Sequence, residues 1–478
     1  MWAMNLLYSI GSSEKASKLL VKLQTMDKAD CFKTLTFKEA KEWIDTLLEQ
    51  DEKIRNMYMK CEFPYHMFFD QNGRACYALC CHKLWSYNID ISIGKQLLLT
   101  SFGGHNASMK QLKDTIGKEI TIDYSSLIHM KHLDILDDIV SCWNKVIISG
   151  KINNIITCEQ DKCLSCQSDV LESNNRMMKE WKQKSLNYVN PISHAEVSKW
   201  IESGIQPGDI VPYELAKKNN LTLISNKFLT DLLEESDKIP AEMRDNVIST
   251  YELLTVLERR GDISSDFKGK YRGEHNDRKE CELMDSLVAN DENLSILVDQ
   301  NFLREIYEMD GVSIISQKCN IFVMDNVFSN IEENIRQDSF GKKTNTFLNS
   351  LKDNIQELKD EGKISYYGEY DDKNKRKNSM FTNDFIDLYH YTTSNSNILI
   401  CDDRWVNAYN SFNKCLIYSV VDVIELLHEQ KIISDEKYIN VITQMFKEGY
   451  AYIVPSFEYI RLLMDRMSDK KDVYSEIP

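Results

Sequence analysis

Glu119-Ile120-Thr121-Ile122-Asp123-Tyr124-Ser125-Ser126-Leu127 and Leu294-Ser295-Ile296-Leu297-Val298-Asp299-Gln300-Asn301-Phe302-Leu303 are the two stretches that decide the fold. Each is a short apolar run that ends in an aspartate and passes into a helical pattern. The two aspartates lie 176 positions apart. A second apolar run follows each, Lys145-Val146-Ile147-Ile148-Ser149 in one copy and Asn320-Ile321-Phe322-Val323-Met324 in the other. At the same offset of 176, Leu221-Thr222-Leu223-Ile224-Ser225-Asn226-Lys227 matches Ile398-Leu399-Ile400-Cys401-Asp402-Asp403. A fourth pair, Val247–Leu254 and Leu416–Val423, matches with Ser249 and Ser419 at an offset of 170.

Landmarks recurring in one order at near-constant spacing indicate an internal repeat. Short buried-looking strands that alternate with helical segments indicate βαβ units and parallel sheets. The expected fold class is therefore α/β, with two similar three-layer, parallel-sheet domains in tandem at 113–275 and 290–470. Between them, the polar segment Lys268–Asp277 suits a linker or exposed turn. Residues 1–112 read as a mainly helical region. Ser12-Ser13-Glu14-Lys15 can cap one helix, Thr36-Phe37-Lys38-Glu39-Ala40 opens another carrying Trp43, Ile44 and Leu47, and Tyr65–Phe69 and the sequence around Leu84 suggest more. Phe347, Leu351, Ile355 and Leu358 recur at helical spacing, which predicts an amphipathic helix over 343–361.

Composition narrows the function. The 478 residues carry 58 basic and 74 acidic side chains, a net charge of −16, so a polyanion gains nothing from the surface at large. Nucleic-acid contact would need a local basic patch or metal ions held by carboxylates. The basic run Lys373-Asn374-Lys375-Arg376-Lys377 is one such patch, although a solvated loop is the plainer reading. No apolar stretch is long enough to span a bilayer, the first residues lack a signal-peptide pattern, and the 13 cysteines are odd in number and scattered. A cytoplasmic protein with reduced thiols and no membrane contact is expected. Cys158, Cys163 and Cys166 have zinc-like spacing but no evident fourth ligand. Cys76, Cys80 and Cys81 read as buried helix positions, and His129 and His132 as structural.

In open parallel sheets the working residues lie at the carboxyl ends of strands. Asp299, Asp402 and Asp403 occupy such positions. Converging carboxylates suit Mg²⁺ or Mn²⁺, and Glu332 or Glu333, Asp384 or Asp387, and Asp422 could complete the set. The plainer alternative for any one aspartate is a helix N-cap. In the first copy, Asn226-Lys227 replaces the acidic pair beside Asp123, and both changes oppose a divalent ion. The second copy is thus the expected catalytic one. No phosphate-loop pattern supports ATP use.

These residues resemble PIN-domain ribonucleases through Ile296-Leu297-Val298-Asp299 and Ile398-Leu399-Ile400-Cys401-Asp402-Asp403-Arg404-Trp405. Ser434-Asp435-Glu436-Lys437-Tyr438, Gly449–Pro455, Phe63-Pro64-Tyr65-His66 and Gly103-Gly104-His105 are similar to segments of large bacterial PIN-like proteins. The resemblance implies two PIN-like domains in tandem, the first degenerate, and a Mg²⁺- or Mn²⁺-dependent endonuclease that hydrolyses RNA, or single-stranded DNA. It implies Asp299, Asp402, Asp403 and Glu333 as catalytic residues and Asp299, Glu333, Asp384, Asp402 and Asp422 as metal ligands. It also implies a bacterial toxin or anti-phage setting. The competing expectation is an inactive PIN-like scaffold whose helical N-terminal region binds a protein partner.

Overall fold

A computed structural model describes residues 64–71, 76–86, 109–163, 168–190, 207–226, 246–273, 282–290, 292–367, 380–395, 398–409, 415–448 and 453–469. Scattered positions at 46–62, 192, 197–198, 411–412 and 450 are described as well. The helix starts expected at Ser12 and Thr36, Gly103-Gly104-His105, Cys166, Lys227 and the basic run 373–377 lie outside the described residues. Among the described residues no helix is long and apolar enough to cross a membrane.

The strands, in chain order, are β1 (Glu119–Ile122), β2 (Lys145–Ser149), β3 (Asn187–Val189), β4 (Thr222–Ile224), β5 (Val247–Ile248) and β6 (Leu294–Val298). They continue with β7 (Cys319–Met324), β8 (Ile364–Tyr367), β9 (Ile398–Ile400), β10 (Ser411–Phe412) and β11 (Cys415–Tyr418). They form two sheets of α/β type. One has the order β10-β11-β9-β1-β2-β8 and the other β3-β7-β6-β4-β5. Every pairing is parallel except that of the two-residue edge strand β10 with β11.

The repeat is present, but its halves are exchanged. The expected domains 113–275 and 290–470 do not follow the sheets. The first compact unit comprises Met1–Cys166 and Asp338–Pro478, and the second is the inserted segment Gln167–Gln337. In the first, β1 and β2 of the early copy pair with β8, β9 and β11 of the late copy. In the second, β6 and β7 of the late copy pair with β3, β4 and β5 of the early one. Replacing each strand by its repeat partner turns β11-β9-β1-β2-β8 into β5-β4-β6-β7-β3, the order observed in the second sheet. Nor are residues 1–112 a separate region throughout, since Tyr65, Phe68, Tyr77 and Trp85 are buried in the core of the first unit.

Period-2 alternation accounts for the three layers. Ile120, Ile122, Val146, Ile148, Ile398 and Ile400 belong to one core cluster, whereas Ile147, Leu399 and Cys401 belong to another. Successive strand residues point to opposite faces, so helices must cover both. The second unit does the same, with Ile224, Ile296, Val298 and Ile321 in one cluster and Leu223, Val247 and Leu297 in the other. Leu351, Ile355 and Leu358 on the helix Ser329–Asp360 are buried in the first unit's core, with Phe347 packed against it, which matches the spacing read from sequence. The repeat extends to turns. Asp134 and Asp310 both take positive φ, 54° and 56°, just past the helices that follow β1 and β6. Gly261 (74°) and Lys431 (58°) do so after the helices that follow β5 and β11. A left-handed residue at this point lets the chain leave a helix sharply.

Candidate carboxylate site of the first unit

β1 and β9 are adjacent and parallel, so Asp123 and Asp402-Asp403 emerge from neighbouring carboxyl ends. The aspartate beside Asp402 is therefore Asp123, not Asp299 as expected from sequence. Asp299 ends β6, whose neighbours are β4 and β7 of the other sheet.

Each carboxylate is held by donors from a different element. Asp123 caps the helix Tyr124–His132, accepting from Ser126 N at 2.9 Å and from Ser125 N and Oγ at 3.2 and 2.7 Å. Asp402 accepts from Val420 N at 2.8 Å, and its other oxygen lies 2.6 Å from His129 Nδ1. Asp403 caps Arg404–Asn407 through Trp405 N (2.9 Å) and Val406 N (3.0 Å), and its second oxygen accepts from Tyr65 N. Asp384, on the helix Met380–Ser394, bonds to Ser149 Oγ at the end of β2. Beside it Lys151 pairs with Asp387 at 3.0 Å.

All four are at most 5% exposed. Burial disfavours the charged form and mutual repulsion adds to it. Asp403 is pushed up to about 7 by burial and by Asp123, although its backbone donors oppose the shift. Asp384 is also raised to about 7, by burial with Asp387 and Asp123 adding and Lys151 opposing. Asp123 is raised by burial and by Asp402, against the pull of Ser125 and Ser126. The carboxylates thus sense one another.

The site lies beneath the helices Tyr65–Gln71 and Tyr77–Trp85. Besides the Tyr65 N–H, Tyr77 OH lies 3.1 Å from His129 Nε2, and Trp85 stacks on His132 at 3.5 Å between ring centres. The second helix is clamped by Glu159, which is fully buried. Its carboxylate accepts from Tyr77 N (2.9 Å), Ala78 N (2.8 Å), Cys76 Sγ and Tyr124 OH (3.2 Å). These are the orphan N–H groups that every helix start must satisfy.

Of the sequence-predicted residues, Asp384, Asp402 and Asp403 come together here. Asp422 is half-buried and forms a capping box with Ser419, accepting from its N at 2.8 Å and Oγ at 2.9 Å. Asp299 and Glu333 belong to the second unit. Asp299 caps its helix through Phe302 N at 2.8 Å. Glu333, 43% exposed, bonds Arg336 and Gln337 on its own helix, and Glu332 pairs with Lys182. Asp123, His129 and Glu159 are the residues that sequence reasoning passed over. The 176-position offset could have singled out His129, because it aligns with Glu305 while Asp402 aligns with Asn226.

The donor set suits a hard cation. Four carboxylates share a buried space, and among the described residues no lysine or arginine pairs with Asp123, Asp402 or Asp403. Oxygen ligands of this kind fit Mg²⁺ or Mn²⁺. Yet among the described residues no three His, Cys, Asp or Glu side chains converge as a metal cage, since each carboxylate here is turned toward protein donors. Cys158 and Cys163 lie on the helix Ile152–Cys163 with free thiols, and Cys163 Sγ is 3.4 Å from Cys76 Sγ. Cys76 and Cys81 are buried as expected.

The corresponding place in the second unit is built differently. Asn226 Nδ2 donates to Glu305 at 3.0 Å, and Asn226 Oδ1 accepts from Thr250 N at 3.1 Å. Compared with known proteins, the chain matches no family model, no curated protein and no solved structure.

Proposed function

We propose that the first unit is a Mg²⁺- or Mn²⁺-dependent phosphodiesterase that cuts RNA internally, with Asp123, Asp402, Asp403 and Asp384 as its acids. The observation that carries this reading is that Asp123, Asp402 and Asp403 meet at the carboxyl ends of the adjacent strands β1 and β9, with Asp384 brought beside them from the helix Met380–Ser394. Asp123, Asp402 and Asp403 would hold the ion. Bound there, it supplies positive charge against phosphoryl oxygens and helps ionise water near neutral pH. The chain's own groups do the rest. The Ser125 and Ser126 N–H groups fix Asp123, while His129 and the Val420 N–H fix Asp402. Asp384 can hold or release a proton near neutrality. In-line hydrolysis would leave 5′-phosphate and 3′-hydroxyl ends.

The burial of the acids favours a second reading, a scaffold that never cuts. In the nuclease reading, a phosphodiester reaches the acids only after the helices Tyr65–Gln71 and Tyr77–Trp85 lift and free Asp403 from the Tyr65 N–H. The deciding experiment offers a panel of RNAs and single-stranded DNAs to the full chain with Mn²⁺, with EDTA, and as the Asp123→Asn/Asp402→Asn double variant. Cleavage that needs both metal and aspartates supports the nuclease, and an Asp299→Asn variant should cut as wild type does. Equal cutting by the double variant would end this assignment, and silence under every condition would favour the scaffold.

A further inference from the structure

The second unit has lost the acidic pair but carries a cavity of about 840 Å³, within the size range of small-molecule sites. It is bordered by the helices Ser168–Lys182 and Gln300–Glu308 and by the chain at 269–273. Tyr271 and Glu305 line it and connect it to the sheet. Tyr271 OH and Glu305 both contact Asn226, which follows the carboxyl end of β4. β4 lies beside β6, and from this pair the sheet continues to β5 on one side and to β7 and β3 on the other. In open parallel sheets ligands enter at such a reversal, outside the carboxyl ends.

The lining is dipolar and apolar at once. Lys270, Arg272 and Arg304 bring three cations to the wall. Elsewhere in this unit basic side chains are mostly neutralised: Arg259 by Asp285, Arg260 and Lys318 by Asp262, Lys268 by Glu258. The three cavity cations form no ion pair among the described residues. Arg304 reaches only Asn301 (3.2 Å), and Lys270 lies over the Phe267 ring at 5.9 Å. The carboxylates of Glu308 and Asp310 also border the cavity without an ion-pair partner among the described residues. Val170, 52% exposed, and the half-buried Tyr307 supply apolar surface.

Unpaired cations in a concave wall call for an anionic group. Acceptor-only carboxylates nearby call for hydroxyl or amine donors and repel extended polyanions. The helix rise separates Arg304 from Glu308 by about 6 Å, a distance a sugar carrying one phosphate can bridge. The valine and tyrosine surface accommodates a planar ring. We propose that this cavity binds a nucleoside monophosphate, either free or as the terminal nucleotide of an RNA strand. The site is independent of the carboxylate cluster and requires no cutting by the first unit.

The test is isothermal titration of the full-length protein in EDTA with AMP, UMP, the unphosphorylated nucleosides, inorganic phosphate, and a short RNA with and without a 5′-phosphate. Saturable binding of a nucleoside monophosphate is expected, with the nucleoside and phosphate alone at least tenfold weaker. Arg272→Glu and, separately, Arg304→Glu should each weaken it at least tenfold with unchanged circular dichroism. The surface control Arg259→Glu should not. Stronger binding of the 5′-phosphorylated RNA assigns the ligand to a strand end, and its exclusion assigns it to the free nucleotide. Absence of saturable nucleotide binding, or binding that both cavity variants leave intact, would overturn the proposal.

Discussion

The two units make the same hydrogen bond with its chemistry reversed. In the first, His129 meets the carboxylate Asp402. In the second, the amide Asn226 donates to the carboxylate Glu305. His129 and Glu305 sit at matching positions on the helices after β1 and β6, and Asp402 and Asn226 at matching positions after β9 and β4. Backbone donors Val420 N and Thr250 N complete the match. The difference teaches two things. One sheet retains an acid where the other has a neutral amide, so the metal chemistry proposed above is assigned to the first only. The contact also discriminates between pairings. Had each unit been assembled from consecutive halves, Glu305 would face Asp402, two carboxylates in a dry site, and His129 would face Asn226. Repulsion of that kind selects against the wrong partner.

The largest expected effect comes from breaking this rule on purpose. His129→Glu would set two carboxylates together where both side chains are 1% exposed. Removing one partner of a buried pair costs about 3–5 kcal/mol. The double change His129→Glu/Asp402→Asn recreates the second unit's amide–carboxylate bond and should recover more than half of the loss in urea denaturation. A double variant no more stable than the single one would show that the two contacts are not interchangeable.

Next comes pH, where only the first unit should respond strongly. Asp384 is raised to about 7 when folded, against about 3.9 for an unperturbed aspartate. Between those values the native state binds more protons than the unfolded state, so stability falls as pH rises from about 4 to about 7 and levels off above. The fall should reach a few kcal/mol in metal-free buffer. Asp384→Asn, which can keep a bond to Ser149, should remove its share of the slope and leave that of Asp403, which is also raised to about 7. An unchanged slope would mean the cluster's repulsion is relieved some other way.

A smaller effect is expected from Asn226→Asp. It places a carboxylate against Glu305 at a half-buried position, at a cost of about 1–3 kcal/mol. Asn226→Asp/Glu305→His should restore stability by copying the first unit's pair. Loss of stability in both variants would argue that Tyr271, bonded to both groups, fixes the geometry instead.

Much of this architecture was legible in the sequence, because strand runs such as Ile296–Val298 and Ile398–Ile400 and the 176-position offset are local signals. What was not legible is which half pairs with which. β4 and β9 are each three-residue buried strands of similar character, so periodicity cannot tell whether β1 takes one or the other. That choice rests on non-local contacts such as Thr121 Oγ1 with Thr392 Oγ1 at 2.7 Å, and on the His129–Asp402 pair. The acids of the late copy were found and their partner was not, because Asp123 lies on the far side of the exchange. The role of Glu159 was hidden for the same reason: a helix acid reads as solvent-facing until the helix start it receives is known.

The smallest effect concerns the cover, the other point at which the units differ. His129 lies under Tyr77 and Trp85, whereas Glu305 lines an open cavity. Burial raises the Glu159 carboxyl while the Tyr77 and Ala78 N–H groups pull it down. Glu159→Gln keeps the shape but turns one acceptor into a donor, leaving a helix N–H unmatched. It also removes the negative charge that favours a helix start, worth about 0.3–1 kcal/mol. Local opening should therefore increase at least about fivefold, read as faster amide hydrogen exchange at 77–82 with little change in the rest of the unit. If the nuclease proposal holds, Mn²⁺-dependent cleavage should rise by a similar factor. Faster exchange without added cleavage would mean that opening does not limit cutting. Unchanged exchange would mean that Tyr65 and the aromatic contacts of Trp85, rather than Glu159, hold the helices over the acids.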